Sequence, residues 1–260
     1  MNNLQTYVCK DIYRSILMSK YKLTEETKQH EGITLYRIQA LVDIPSIGVK
    51  AGDLGGWVES LSNLSQEGSA WVYDNAKVYG NAWVYGDAQV FENAKVYGYA
   101  LVYGDAMVYA NAQVSGNAKV YGYALVYGNA WVCGNAEVYG YAEVYGDAKV
   151  FENAMVCEDA RVSGNTQVYG DAKVYGYALV YGNAEVYGNA EVYGNAEVYG
   201  YAEVYEKAKV YGNARVYGNA WVYGNALVFG NALVYGNAWV YGDAWVYGNA
   251  EVGGNVKVYE

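Results

Sequence analysis

Few residues of this chain could do covalent or proton-transfer chemistry: one histidine, His30, and three cysteines, Cys9, Cys133 and Cys157. His30 lies in Lys28-Gln29-His30-Glu31-Gly32, a polar stretch suited to a turn, and reads as a solvated loop residue with no nucleophile or second base beside it in sequence. The cysteines make no metal-type pair, and their odd number fits a reducing compartment better than a disulfide framework. Asp87 and Asp105 hold equivalent places three repeats apart, but two carboxylates fall well short of the six to eight oxygens that calcium takes. The run from Gly52 to Gly56 lacks the Lys-Ser/Thr of a phosphate loop. The sequence therefore offers no catalytic, cofactor-binding or metal-ligating residue, and the expectation is a protein that is not an enzyme.

What the chain does offer is period. From Val72 to Val258 a valine falls at every sixth position, 32 times without a slip, in a unit that reads V-Y-G-N-A-x. A-x-V-Y alternates small, variable, branched and aromatic, the period-two pattern of a strand with Ala and Val on one side and x and Tyr on the other. G-N is then the corner, since Gly, Asn and Asp accept positive φ cheaply. The place before Ala is Asn in 19 of 31 units and Asp in six, which makes it part of that corner in most of them. Strict periodicity in a chain rich in aromatic and β-branched residues points to an ordered array rather than to low-complexity disorder.

The hexad resembles that of the hexapeptide-repeat proteins, with Val in the aliphatic place and Ala in the small one, over roughly 80% of the chain. The run Lys50-Ala-Gly-Asp-Leu-Gly-Gly-Trp-Val is also similar to the lead-in of hexapeptide-like proteins of bacteria and prophages. The resemblance implies an all-β solenoid: a left-handed parallel β-helix of about 11–12 triangular coils, three hexads to a coil. The pattern gives a parallel coil; its hand is what the resemblance implies. Many relatives are acyltransferases using acetyl-CoA or acyl carrier protein with a catalytic His, and others are zinc carbonic anhydrases. Here the repeats contain no His and no interrupting loop, so neither activity is expected to carry over.

If a coil holds three hexads, each residue sits over its counterpart three hexads later. Opposite charges then meet at Lys119/Glu137, Glu143/Arg161, Lys173/Glu191, Glu191/Lys209 and Glu197/Arg215, against like charges at Lys77/Lys95 and Glu185/Glu203. Reading the six-residue frame backwards puts Val58 and Leu64 on alanine places, Leu54 on a valine place, and Gly68, Ser69 and Ala70 on G-N-A. The domains are then 1–53, a small N-terminal α/β cap, and 54–260, the β-helix. In the cap the spacing predicts a short helix over Tyr7–Lys20, β-like stretches around Tyr21–Thr24 and Ile33–Ile44, and a turn at Pro45 and Gly48. At a rung spacing of ~4.8 Å the coils make a rod about 55 Å long.

The 24 Tyr and three Phe in the 32 aromatic places are expected to stack on all three sides as structural ladders. In the variable column, Trp221, Leu227, Leu233, Trp239 and Trp245 occupy consecutive units and read as a candidate interaction patch. The repeat runs in register to Val258 and Tyr259, so the last coil is expected to expose strand edges that pair with another chain. The function read from this is a structural or protein-interaction rod, homodimeric through its C-terminal coils. Two alternatives are an acyltransferase-like protein and an acidic DNA mimic.

Charge supports the exclusions. Residues 54–260 carry ten Lys/Arg against 21 Asp/Glu, so direct binding to nucleic acid or an anionic membrane is not expected. No apolar run is long enough to span a bilayer and no secretory leader is visible, which reads as a soluble cytoplasmic protein.

Overall fold

A computed structural model describes residues 19–260. Two-residue strands, each the x-V of one hexad, follow one another around a triangular coil of three hexads. They stack into three sheets of 14, 11 and 10 strands, giving about 11 turns of a parallel β-solenoid. Val78 pairs with Val96 on the first face, the sheet of 14, Val72 with Val90 on the second, the sheet of 11, and Val84 with Val102 on the third, the sheet of 10. The backbone amide of each x, Tyr and corner residue donates to a carbonyl of the following coil, as in Trp71 to Ala88 at 3.0 Å and Tyr73 to Val90 at 2.8 Å. Inside, every Val and Ala on the inward places from Ala76 to Val240 is fully buried.

The corner divides its work between two residues. Positive φ falls on the Gly place, at 69° in Gly104 for example, where a Cβ would come within 3.0 Å of the Gly122 nitrogen one coil on. Asp74, Glu92, Ala110, Glu152, Glu158 and Glu206 take the same conformation where Gly is absent. The Asn after it is not in that conformation; it builds a ladder instead, its side-chain amide donating to the next copy, as in Asn117 to Asn135 at 3.0 Å. The charge register holds as well. Lys119–Glu137 closes at 2.8 Å, Arg161–Glu143 and Arg215–Glu197 at 3.3 Å, and Glu191 pairs with Lys209 at 3.5 Å.

The N-terminal end departs from the expected frame. Among the described residues it is an antiparallel hairpin of β1 (Tyr21–His30) and β2 (Ile33–Ala40), followed by a 3-10 turn at Pro45–Ile47 and by β3 (Leu54–Val58). The helix expected over Tyr7–Lys20 lies outside the described residues, save Ser19 and Lys20. β3 is antiparallel to β2 and parallel to Lys77–Val78, so it joins hairpin to coil. Val58 stacks on Val78 and Leu64 bridges Val84, two positions more than three hexads. Both therefore occupy valine places, not alanine places; Gly56 takes the alanine place, and Leu54 pairs with Gln39 outside the repeat. Two extra residues between Leu64 and Ala70 restore the phase. Gly68 and Ser69 do sit on the corner, with φ 68° at Gly68 and Ser69 bonded to Asp87.

β2 covers β3, and Lys20 serves the carbonyls of a later corner of this first coil. Its buried ammonium donates to the carbonyls of Ala70 at 2.8 Å, Gly68 at 3.3 Å and Glu67 at 3.4 Å. Tyr21 lies beside it, its hydroxyl donating to the Leu64 carbonyl at 2.8 Å.

One interior residue breaks the apolar rule: Thr166 stands in an alanine place, fully buried, with its hydroxyl unpartnered. A buried hydroxyl without a partner costs about 1–3 kcal/mol, and valine keeps the shape without it. Thr166→Val is therefore expected to stabilise the rod by about 1 kcal/mol, read as a rise in the denaturation midpoint. A fall would show that the hydroxyl is bonded and useful.

Candidate interaction surfaces

The outward faces carry two columns each. In the aromatic column, rings one coil apart lie nearly parallel at van der Waals stacking distance. Tyr103–Tyr121 are 4.8 Å apart at 2°, Tyr109–Tyr127 4.8 Å at 3° and Tyr187–Tyr205 4.8 Å at 1°, which places ladders on all three faces as the repeat implied. Many phenols also donate to a carboxylate on the following coil: Tyr121 to Glu137, Tyr127 to Glu143 and Tyr175 to Glu191, each at 3.1 Å. Packing against neighbouring rings and the nearby carboxylates pushes these hydroxyls up, to about 12 at Tyr169, Tyr181 and Tyr205.

The five apolar residues read from the variable column do not form one patch. Consecutive hexads lie on successive faces, so neighbouring units of the repeat point in different directions. Trp221 and Trp239 share the first face and stack at 5.0 Å and 9°, with the Lys257 ammonium 4.1 Å from the Trp239 ring. Leu227 and Trp245 are neighbours on the third face, and Leu233 stands on the second between Arg215 and Glu251. Only Trp245, 63% exposed, projects freely; the other four are half-buried. The correction is geometric: contiguity in a triangular solenoid requires a spacing of three hexads, not one.

The structure adds a surface that the repeat average hid. Where the corner Asn is replaced by Tyr, the ring stands out into solvent: Tyr99, Tyr123, Tyr141, Tyr177 and Tyr201 are all 52–65% exposed. Tyr123 and Tyr141 stack at 5.0 Å on one edge of the rod, with Asp159 and then Tyr177 on the same edge. The signal was legible as exceptions in the Asn column. Trp83 and Trp131 are exposed on the third and first faces, at 43% and 40%.

The remaining reactive residues stay apart. Cys133 is on the first face and Cys157 on the third, both free, with thiols pushed up by burial; Cys9 lies outside the described residues. Asp87 and Asp105 line a shallow hollow with Ser69, Gln89, Met107, Ser46 and Ile47. Among the described residues no group of three or more His, Cys, Asp or Glu is placed to hold a metal. His30 is not a solvated turn residue. It ends β1, its ring edge-on to Tyr79 at 5.3 Å, and burial lowers its pKa despite Glu31 beside it.

Among known families, a model described as YdcK beta solenoid repeat matches this chain in six overlapping copies. They span residues 100–116, 112–128, 208–224, 220–236, 226–242 and 234–248. No curated protein matches the chain. The similarity is thus to a β-solenoid repeat, in keeping with the coils, and it covers two stretches, 100–128 and 208–248. No helix among the described residues is long and apolar enough to cross a membrane.

The tyrosine ladders set an alkaline limit. A phenol whose folded pKa exceeds its unfolded value near 10 contributes stability that is whole below pH 10 and is lost as pH rises through the folded value. Lys20, lowered to about 8 by burial, acts in the opposite sense between pH 8 and 10.5. The melting temperature is therefore expected to peak near pH 10 and to fall towards pH 12, with tyrosinate absorbance rising together with loss of the β-sheet circular dichroism. Ionisation near pH 10 with the dichroism intact would contradict the ladder account.

Proposed function

We propose that this chain is a non-catalytic structural rod that works by protein contact, first of all with a second copy of itself through the C-terminal coils. The observation that carries the reading is the set of tryptophans on these coils. Trp221 and Trp239 stack at 5.0 Å on the first face, and Trp245 on the third is 63% exposed. Large apolar side chains held outward on a regular frame favour pairing with another chain.

Two finer readings go with this one. The coil is left-handed, of the hexapeptide-repeat kind; the three-strand, three-hexad coil and the Val and Ala places support it, and a crystal structure would fix the hand. The compartment is the reducing cytoplasm, supported by free thiols at Cys133 and Cys157 on separate faces.

The test is light scattering on the intact chain and on Trp239→Gln and Trp245→Glu. A dimer that becomes monomeric in both variants, with unchanged circular dichroism, is the expected result. A monomeric parent at the highest workable concentration, or a dimer indifferent to both substitutions, would reject self-association through this end.

A further inference from the structure

Against a net charge of −10, the outer side of the first face near the hairpin is basic. Cross-strand partners run Arg37, Trp57, Lys77, Lys95 on four successive strands, with Lys28 on β1 opposite Leu35. Lys28 Nζ lies 5.5 Å and Arg37 Cζ 5.2 Å from the Trp57 ring, so both cations lean on the same indole. Lys77 is 9% exposed, its ammonium donating to the Asn75 carbonyl at 3.2 Å, with Lys28 and Lys95 as neighbouring like charges.

Three buried nitrogens here have no hydrogen-bond partner: His30 Nε2, Arg37 Nε and the indole Nε1 of Trp57, itself 5% exposed. One carboxylate faces the group. Glu31, at the hairpin tip, lies 3.4 Å from His30 Nε2 and 3.7 Å from Lys95 Nζ, and its side chain is 61% exposed.

Elsewhere in the rod, stacked charges are mostly matched with opposites, Glu185 over Glu203 apart, which leaves this row the one stack of cations. Stacked lysines on adjacent rungs repel, and burying one of them adds a desolvation cost. A single carboxylate on an exposed tip neutralises one charge of four. A doubly charged anion with several acceptor oxygens would neutralise the lysines together; a phosphate group has that charge and shape.

We propose that Lys77, Lys95, Lys28 and His30 form a binding site for a phosphate group, free or as a monoester, with Glu31 as a tethered competitor that holds the site when it is empty. The net charge of −10 disfavours a nucleic-acid backbone as the source.

Calorimetry and thermal melting of the full chain test this, with inorganic phosphate, glycerol phosphate and sodium chloride at matched ionic strength. Saturable phosphate binding is expected, weakened about tenfold in Lys95→Gln and tightened about tenfold in Glu31→Gln, each the size of one charge-assisted hydrogen bond. Lys77→Met is expected to abolish it; should that variant not fold, Lys95→Gln and Glu31→Gln carry the test. Glycerol phosphate binding as tightly as phosphate would assign the site to a monoester, and phosphate binding alone to the free ion. An equal melting shift from chloride, no saturation by about 10 mM, or a Glu31→Gln variant that binds no tighter would each overturn the proposal.

Discussion

The constraint on which everything else depends is the rung spacing of about 4.8 Å that the backbone ladder imposes between coils. At that separation a residue of an inner coil has a vertical neighbour on either side, mostly of its own kind, and whatever occupies a column must tolerate itself. Tyrosine does so by stacking, at 4.8 Å between Tyr121 and Tyr139 and again between Tyr181 and Tyr199. Asparagine does so because its amide is both donor and acceptor, so a column of them closes without a foreign partner. Valine and alanine do so by filling a narrow triangular interior, buried from coil to coil. Like charges do not, and the variable column answers by setting most Lys and Arg of the mid-rod against a carboxylate on a neighbouring coil.

The same constraint explains how much was legible beforehand. The coil and the inward Val and Ala followed from the period, its closure after three hexads from the resemblance to the hexapeptide repeat and the charge spacing, and the stacked Trp221 and Trp239 and four of the five expected ion pairs from that closure, because each is a statement about one column. The hidden parts are those where the period is broken or must be folded into three dimensions. Val58 and Leu64 looked like alanine places because two residues between Leu64 and Ala70 belong to no hexad. His30 looked solvated because the hairpin that swings it onto Tyr79 is irregular sequence. Trp221, Leu227, Leu233, Trp239 and Trp245 looked contiguous because adjacency along a chain that turns a corner in every hexad is not adjacency in space. The exposed corner tyrosines are hidden in the Asn column because an average over it erases its exceptions.

The individuality of the surface is therefore written in departures from the repeat. The uniform columns build a stiff frame whose three faces would otherwise be nearly interchangeable. Distinct character comes from Tyr123 and Tyr141 on one edge, from Trp245 near the last coil, and from the basic row beneath the hairpin. Each occurs where a column changes identity, and each faces outward, where a change disturbs no interior packing.

The two extra residues ahead of Ala70 have a consequence for how such a chain finds its own alignment. Because the Val, Ala, Tyr and Asn columns are close to identical on every face, a growing coil displaced by one hexad would meet nearly the same interior and nearly the same stacks. The regular part of the molecule has a ruler but no zero. The irregular first coil, with the single seat for Lys20 against the carbonyls of Glu67, Gly68 and Ala70, occurs once. It supplies the origin from which every later coil is counted, and the opposite charges along the variable column check the count as it proceeds.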